Sequence, residues 1–262
     1  MTEKFEGKLP AEKQITPEVK ANPENVKAIL DWLEGKSGWS SGKTLSEYAK
    51  DAPEGVTESD LQETFLGLKS PGVSDADYDC NGYYVTALAH RIVEEKIQKW
   101  QNEHPDASDE DLQQFVDNIA SIELTHPNTG KYEWDRFREI GHGWEKGTLI
   151  LKGNFGKSVG GWMKGGKVIV EGNTGPSAGA LMSGGELKIN GTTGRELGYG
   201  MTGGKIYARK AGPVPGAVMH GGTIEINEPI DLSQPGAYGP VSKPGIGLNK
   251  TGGEIIVGGK KY

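Results

Sequence analysis

Short runs of alternating apolar and polar residues recur at a nearly constant distance in the second half of the chain. Each run follows a glycine pair. The pairs stand at 165–166, 184–185, 203–204, 221–222 and 252–253, with a degenerate copy at 146–147. Successive copies are 19, 19, 19, 18 and 31 residues apart. Because alternation over four or more residues is typical of a strand, the pattern predicts six short strands on a period near 19.

Other residues keep the same register as these strands. Apart from Met1, every methionine stands two residues before a glycine pair, and these are Met163, Met182, Met201 and Met219. We expect them to form a structural ladder that fills the core, since the flexible methionine side chain packs into irregular gaps. Four aligned thioethers also leave a soft-metal site as an alternative. Glycine-rich turns at 153–156, 172–175 and 191–194 suit tight corners.

A period of this length indicates a solenoid, in which each repeat forms one coil of a parallel β-helix. It is too short for a propeller blade of about 40 residues. The interval of 31 residues before the last copy predicts an inserted Pro/Gly loop over 229–250. Tyr238 in this loop is a candidate partner contact, because tyrosine is enriched in interface hot spots.

The repeat G-G-x-[IVL]-x-[IVA], with G-x-x-G between copies, resembles the glycine-rich GXGXG domain. That domain closes the large chain of glutamate synthase. It also forms one of the separate subunits of formylmethanofuran dehydrogenase and of its bacterial formyltransferase/hydrolase counterpart. The resemblance covers about residues 143–262 and implies a right-handed β-helix that joins catalytic units without being catalytic itself. Residues 1–140 resemble neither the flavin-binding barrel of glutamate synthase nor the first part of the dehydrogenase subunit.

The first half of the chain predicts helices. Asn22-Pro23 is typical of an N-cap followed by the first helical residue. Sequences that resemble capping boxes begin at Thr44 and Thr57. Apolar stripes at helical spacing over 84–100 and 112–119 predict further helices that face a core. These signals indicate a small bundle of about five helices.

The predicted fold class is therefore α+β in two parts, a small N-terminal helical domain followed by a C-terminal right-handed parallel β-helix. The predicted divisions are an extended arm over 1–20, the helical domain over 21–140 and the β-helix over 141–262. A segment over 125–145, with Trp134 and Trp144, is expected to cover the first strand, because an open solenoid end needs a cap.

Composition changes at the same boundary. Residues 1–140 contain 9 of the 41 glycines and have a net charge of −13, whereas residues 141–262 contain 32 and have a net charge of +6. A single cysteine excludes an internal disulfide framework. The chain has no run of about 18 apolar residues and no signal-peptide pattern, so we expect a cytoplasmic protein without membrane contact.

Candidate chemistry is sparse. Asp77, Asp79 and Asn81, followed by Gly82, match the start of a calcium-binding loop, but Leu88 stands where the bidentate glutamate is required. The usual interpretation of such a cluster is an acidic loop before a helix. The five histidines and Cys80 lack zinc-ligand spacing. We therefore expect no catalytic residue, no cofactor and no metal in this chain, with the calcium site as a weak alternative.

Three functions compete on this basis. The first is a non-catalytic scaffold or assembly subunit of a multi-subunit oxidoreductase complex, with other protein subunits as partners. The second is a stand-alone enzyme with its site between the two halves. The third is a module that binds an anionic polymer, although 14 Lys and Arg residues over 141–262 are few for nucleic-acid binding, which we do not expect. A homo-oligomer is compatible with each.

Overall fold

The structure is a computed structural model that describes residues 20–33, 44–67, 75–126, 137–231 and 245–262. The helices in these ranges are α1 (Pro23–Leu33), α2 (Leu45–Ala49), α3 (Glu58–Gly67), α4 (Asp75–Glu103) and α5 (Asp109–Asn118). The strands are β1 (Ser121–Thr125), β2 (Thr148–Lys152), β3 (Lys167–Glu171), β4 (Glu186–Thr193), β5 (Lys205–Ala211), β6 (Thr223–Ile226), β7 (Glu254–Val257) and β8 (Lys260–Lys261).

The strands form one eight-stranded sheet in chain order. β1 to β7 are parallel and keep one register over their first four residues, with a shift between β4 and β5 after Ile189, whereas β8 turns back and pairs antiparallel with β7. Alternate side chains of each parallel strand are buried, as Leu149 and Leu151 are in β2. The period of two along each strand therefore places one apolar column beside the next across the sheet.

The turns between the strands are also joined to one another. The Leu181 amide donates to the Tyr199 carbonyl at 2.7 Å, and the Gly198 amide donates to the Ala178 carbonyl at 2.8 Å. Isolated bridges join Phe155 to Thr174 and then to Thr193. We call residues 137–231 and 245–262 the repeat stack, since their strands and turns both bond to the equivalent residues of the next repeat.

The predicted fold class is wrong. The described strands form one open sheet that is mostly parallel, and the described residues do not show a separate helical domain. β1 precedes the boundary predicted at residue 140, and one cluster of buried residues runs from Ile29 in α1 to Val257 in β7. α3 and α4 pack against β1, which is the edge strand among the described residues, whereas α1 packs on α3 and α2 packs on α4.

Several local predictions match the described residues. α1 begins at Pro23, and both hydrogen bonds of the capping box at Thr44 are present.

The apolar stripe over 112–119 differs from its prediction as a core-facing helix, because α5 contains no buried residue and the Ile119 side chain that follows it is exposed. Phe115 is half-buried, packs against the core cluster and stacks on Trp100 with ring centroids 4.9 Å apart. The predicted arm over 1–20 lies outside the described residues except for Lys20, as does most of the loop over 229–250. The predicted domain divisions stay predictions.

Side chains of the helices occupy the open edge of β1. The Gln62 side chain of α3 accepts a hydrogen bond from the Thr125 amide at 2.6 Å and donates one to the Thr125 carbonyl at 3.0 Å. It therefore replaces a neighbouring strand at that residue. An unpaired strand edge is a template for association with another chain, so these bonds also protect the edge.

A charged pair continues this cover along the same edge. The Glu58 carboxylate of α3 accepts from the Glu123 amide at 2.8 Å and pairs with Lys96 of α4 at 2.8 Å. The Lys96 ammonium also donates to the Ser121 carbonyl at 2.6 Å. The segment over 125–145 was predicted to cover the strand that is β2 in the structure. That edge is paired instead with β1, and α3 and α4 cover β1 in turn. Trp144 is buried and donates to the Gly147 carbonyl, and Trp134 lies outside the described residues.

We expect the double substitution Glu58→Ala and Gln62→Ala to lower the free energy of unfolding by about 2 kcal/mol, at roughly 1 kcal/mol net for each side chain removed. Denaturant unfolding measures this change. Hydrogen exchange should become faster in the peptide that contains β1. Gln114→Ala on the exposed face of α5 is the control and should change neither quantity. Unchanged exchange in β1 would show that these side chains do not protect the edge.

Candidate functional site

Each turn of the repeat stack contains residues with left-handed backbone, and two of these positions are always glycine. We number the turns one to six, in the order of the strands β2 to β7 that follow them. The two glycine columns are Gly141, Gly160, Gly179, Gly198, Gly216 and Gly247, and Gly147, Gly166, Gly185, Gly204, Gly222 and Gly253. A Cβ atom at Gly198 would lie 2.5 Å from Cδ1 of Ile224 in the core. These columns require glycine for reasons of space as well as conformation.

A third left-handed column points away from the core and carries large side chains. Its members in turns one to six are Gly143, Trp162, Leu181, Gly200, Val218 and Asn249. Trp162, Leu181 and Val218 have φ values of 55°, 58° and 58°. A bulky or β-branched residue in this region is a genuine outlier, and such backbone costs about 1–3 kcal/mol per residue. Backbone strain of this kind clusters at functional sites.

The side chains at and beside this column form an exposed apolar strip. The exposed fractions are 48% for Trp162, 37% for Leu181, 40% for Tyr199 and 44% for Leu248. We call Trp162, Leu181, Tyr199, Val218 and Leu248 the turn row. Sequence analysis missed it, although a signal was present: the residue before the methionine is Trp, Leu or Val in three of the four repeats.

A second outward surface is the solvent side of the sheet. Its central column, in register from β1 to β7, is Glu123, Ile150, Ile169, Lys188, Tyr207, Glu225 and Ile256. Ile169, Tyr207 and Ile256 are half-buried in the isolated chain. The described helices pack against β1 and β2. We call the outward side of β3 to β7 the open sheet face, since these strands lack a helical cover among the described residues.

The predicted site residues fall in separate places. Met163, Met182, Met201 and Met219 occupy equivalent positions and are fully buried. Asp77, Asp79 and Asn81 lie within α4, so their backbone is helical and differs from the loop that the calcium hypothesis requires. Their side chains and Tyr238 lie outside the described part of the chain. The described residues contain no group of three or more His, Cys, Asp or Glu side chains that could hold a metal ion.

One buried histidine sits where α4 meets the first turn of the repeat stack. His90 is 1% exposed and packs edge-to-face on Trp144 with ring centroids 5.4 Å apart. Its Nδ1 atom is 3.6 Å from the Glu94 carboxylate, too far for a hydrogen bond. Burial lowers the pKa of His90 below its ordinary value, and Glu94 opposes this effect only in part. Burial likewise lowers the pKa of His142 to about 4.

Two clefts lie between the helices and the first turns of the repeat stack. One, of about 490 Å³, is lined by Arg91, Glu94 and Lys146 among others. The second, of about 300 Å³, lies between α4, α5 and residues 145–147. His90 lines neither cleft, so the buried imidazole cannot act on a substrate bound there.

Comparison of the chain with models of known protein families, with curated proteins and with solved structures finds no match. Within the described ranges, none of the helices has the length and apolar character needed to cross a membrane.

The glycine columns generate a prediction with an internal control. Gly198→Ala and Gly200→Ala share nearly the same backbone strain, since φ is 65° and 62°. The new Cβ at position 198 meets the core residue Ile224, whereas at position 200 it meets only the surface side chain of Leu181. In both variants backbone strain should lower the free energy of unfolding by about 1–2 kcal/mol. In Gly198→Ala, overpacking of the core should lower it by about 1–3 kcal/mol more. Equal losses in denaturant unfolding would contradict this account.

The buried imidazole predicts a pH-dependent stability. Below the pKa of about 6.5 in the unfolded chain, His90 binds a proton when unfolded but not when folded. The free energy of unfolding should therefore fall as pH falls through that value. His90→Leu should make the loss between about pH 7 and pH 5 shallower. The control His104→Gln, at an exposed site, should leave the profile unchanged. If the stability of the His90→Leu variant depends on pH as that of the wild-type chain does, His90 is not the group responsible.

Proposed function

We propose that this chain is a non-catalytic scaffold subunit that joins other protein subunits of a multi-subunit oxidoreductase complex. The resemblance of its repeat to the GXGXG domain supports the class of complex. The open sheet face is the observation that carries the proposal, because it offers partners a flat surface whose main chain is already hydrogen-bonded within the sheet. Such a surface stays rigid while a partner binds, so little conformational entropy is lost there.

The composition of the open sheet face is typical of a protein contact. Tyr207 stands at its middle, with Ile169 and Ile256 towards its two ends. Lys167 pairs with Glu186 at 2.7 Å in the neighbouring column. Lys188 and Glu225 stand on either side of Tyr207 in this column, so the face combines an aromatic anchor with charged and aliphatic side chains. The loop over 229–250, with Tyr238, stays a predicted second contact.

The polymer-binding alternative has less support. Many basic side chains on and beside the sheet are neutralised by carboxylates of the same chain. These pairs are Lys152–Glu123, Lys164–Glu145, Lys167–Glu186, Arg209–Glu228, Lys210–Asp231 and Lys261–Glu254. Lys and Arg residues that are already paired release fewer counterions from a polyanion, which removes the main source of affinity. The stand-alone enzyme would have the clefts beside α4, where the buried His90 is out of reach, or a cleft of about 1050 Å³ between α1, α3 and β1. No observation on these clefts favours a particular reaction over the scaffold role.

The test is native purification of the full chain from its own source. The wild-type chain should elute with other subunits in fixed proportion, and Ile169→Glu with Tyr207→Glu should release them, because two charges buried within an interface are strongly unfavourable. Lys157→Glu, an exposed charge change in a turn, is the control and should keep the complex intact. Circular dichroism checks that each variant is folded. Turnover by the pure chain, or a complex unaffected by the double substitution, would overturn the proposal.

A further inference from the structure

The residues of the turn row lower the stability of an isolated chain. Trp162, Leu181 and Val218 combine left-handed backbone with side chains that favour other conformations. The same column accepts Gly143 and Asn249 at its two ends, residue types that adopt this backbone readily. Large apolar side chains at the middle of the column therefore reduce stability and solubility together. Exposed apolar strips of this kind mark surfaces that are covered in the functional state.

The row is uncharged, and this limits what can cover it. Its members are the exposed residues Trp162, Leu181, Tyr199 and Leu248 and the half-buried Val218. The bordering column is polar and consists of Glu145, Lys164, Ser183, Thr202, His220 and Thr251. Its two charged members of opposite sign, Glu145 and Lys164, pair with each other at 2.8 Å. A partner must therefore offer an uncharged apolar strip with a polar border. A second copy of this chain offers that surface without like-charge repulsion.

The sizes of the side chains along the row indicate how two copies would meet. Consider two copies of the chain whose left-handed columns pack against each other and run in opposite directions. With a two-fold axis midway between turns three and four, Leu181 of one copy faces Gly200 of the other. Leu181 already leans towards Gly200 of its own chain, so the two leucines lie side by side on the axis. Trp162 then faces Val218, and Gly143 faces Asn249.

The neighbouring column of the turns fits the same axis. Its members in turns one to six are His142, Gly161, Ala180, Tyr199, Ala217 and Leu248. The large Tyr199 side chain would face Ala180, and Gly161 would face Ala217. Moving the axis onto turn four would place Tyr199 against Tyr199. Any axis away from the centre also shortens the overlap below six turns, so the central axis buries most of the row.

We propose that the turn row is the face of a two-fold dimer, in which a second copy of this chain packs in the opposite direction about an axis between turns three and four. A two-fold interface uses the same patch on both subunits and must be self-complementary, as this row is. Six turns at about 4.8 Å spacing give a contact about 25 Å long.

This dimer goes beyond the scaffold proposal and uses another surface. The open sheet face remains accessible in it, so each dimer would present that face twice. Ile169→Glu with Tyr207→Glu should leave the dimer intact. Substitutions in the turn row should leave unchanged the number of partner subunits that each open sheet face binds. Failure of one proposal is therefore distinguishable from failure of the other.

The first experiment measures the mass of the purified full chain by sedimentation. The wild-type chain should be a dimer at micromolar concentration, and Leu181→Asn with Tyr199→Ser should shift it at least tenfold towards monomer. The free energy of unfolding of this monomer should not fall, since asparagine tolerates left-handed backbone. Leu30→Asn, an exposed leucine of α1, is the control and should remain a dimer. A monomeric wild type, or a dimer that survives the row substitutions, would overturn the proposal.

The second experiment tests the register by thiol cross-linking in a Cys80→Ser background. Trp162→Cys and Val218→Cys chains are mixed and treated with a bismaleimide that spans about 10 Å, the usual distance between packed sheets. The mixture should give linked dimers. Either variant alone should not, because identical positions would be three repeats, about 14 Å, apart along the row. Linking of one variant to itself in preference to the mixture would rule out this axis.

Discussion

Main-chain hydrogen bonds between successive repeats are the constraint on which the rest of the structure depends. Because both the strands and the turns bond to the next repeat, each turn must keep the same backbone path as its neighbours. That path includes left-handed residues. Where a Cβ atom at such a residue would collide with packed side chains or with the main chain of another repeat, glycine is present, as at Gly198 and Gly185. Where there is room, larger residues are tolerated at a cost in strain, both inside the protein, as at Val214, and at the surface, where the turn row arises.

The same constraint creates two open ends, and they are closed by different means. At the first strand, Glu58, Gln62 and Lys96 bond to the main chain of β1 in place of a neighbouring strand. At the last strand, the Gly258-Gly259 turn brings β8 back against β7, and its lysines discourage further pairing. The helices are thus a part of the repeat architecture, since they complete the sheet at one end.

Function follows from what such repeats can and cannot provide. Glycine at the corners leaves few side chains to surround a substrate, and the titratable groups of the sheet pair with one another across the repeats. The open sheet face and the turn row remain as surfaces with exposed or half-buried apolar side chains. The scaffold proposal uses the first and the dimer proposal uses the second, so the two proposals do not compete for one surface.

Local and periodic features could be read from the sequence, because they depend on residues close in the chain. The strands after the glycine pairs, the start of α1 at Pro23 and the capping box at Thr44 are of this kind. β1 was not predicted, since it lies 27 residues before β2 and lacks a glycine pair, and only pairing with β2 makes it a strand. The position of α5 and the outward direction of the Trp162 and Leu181 side chains could not be predicted from the sequence either. Burial depends on which elements meet in space, and that was decided by the packing of the helices on β1 and by the hydrogen bonding of one repeat to the next.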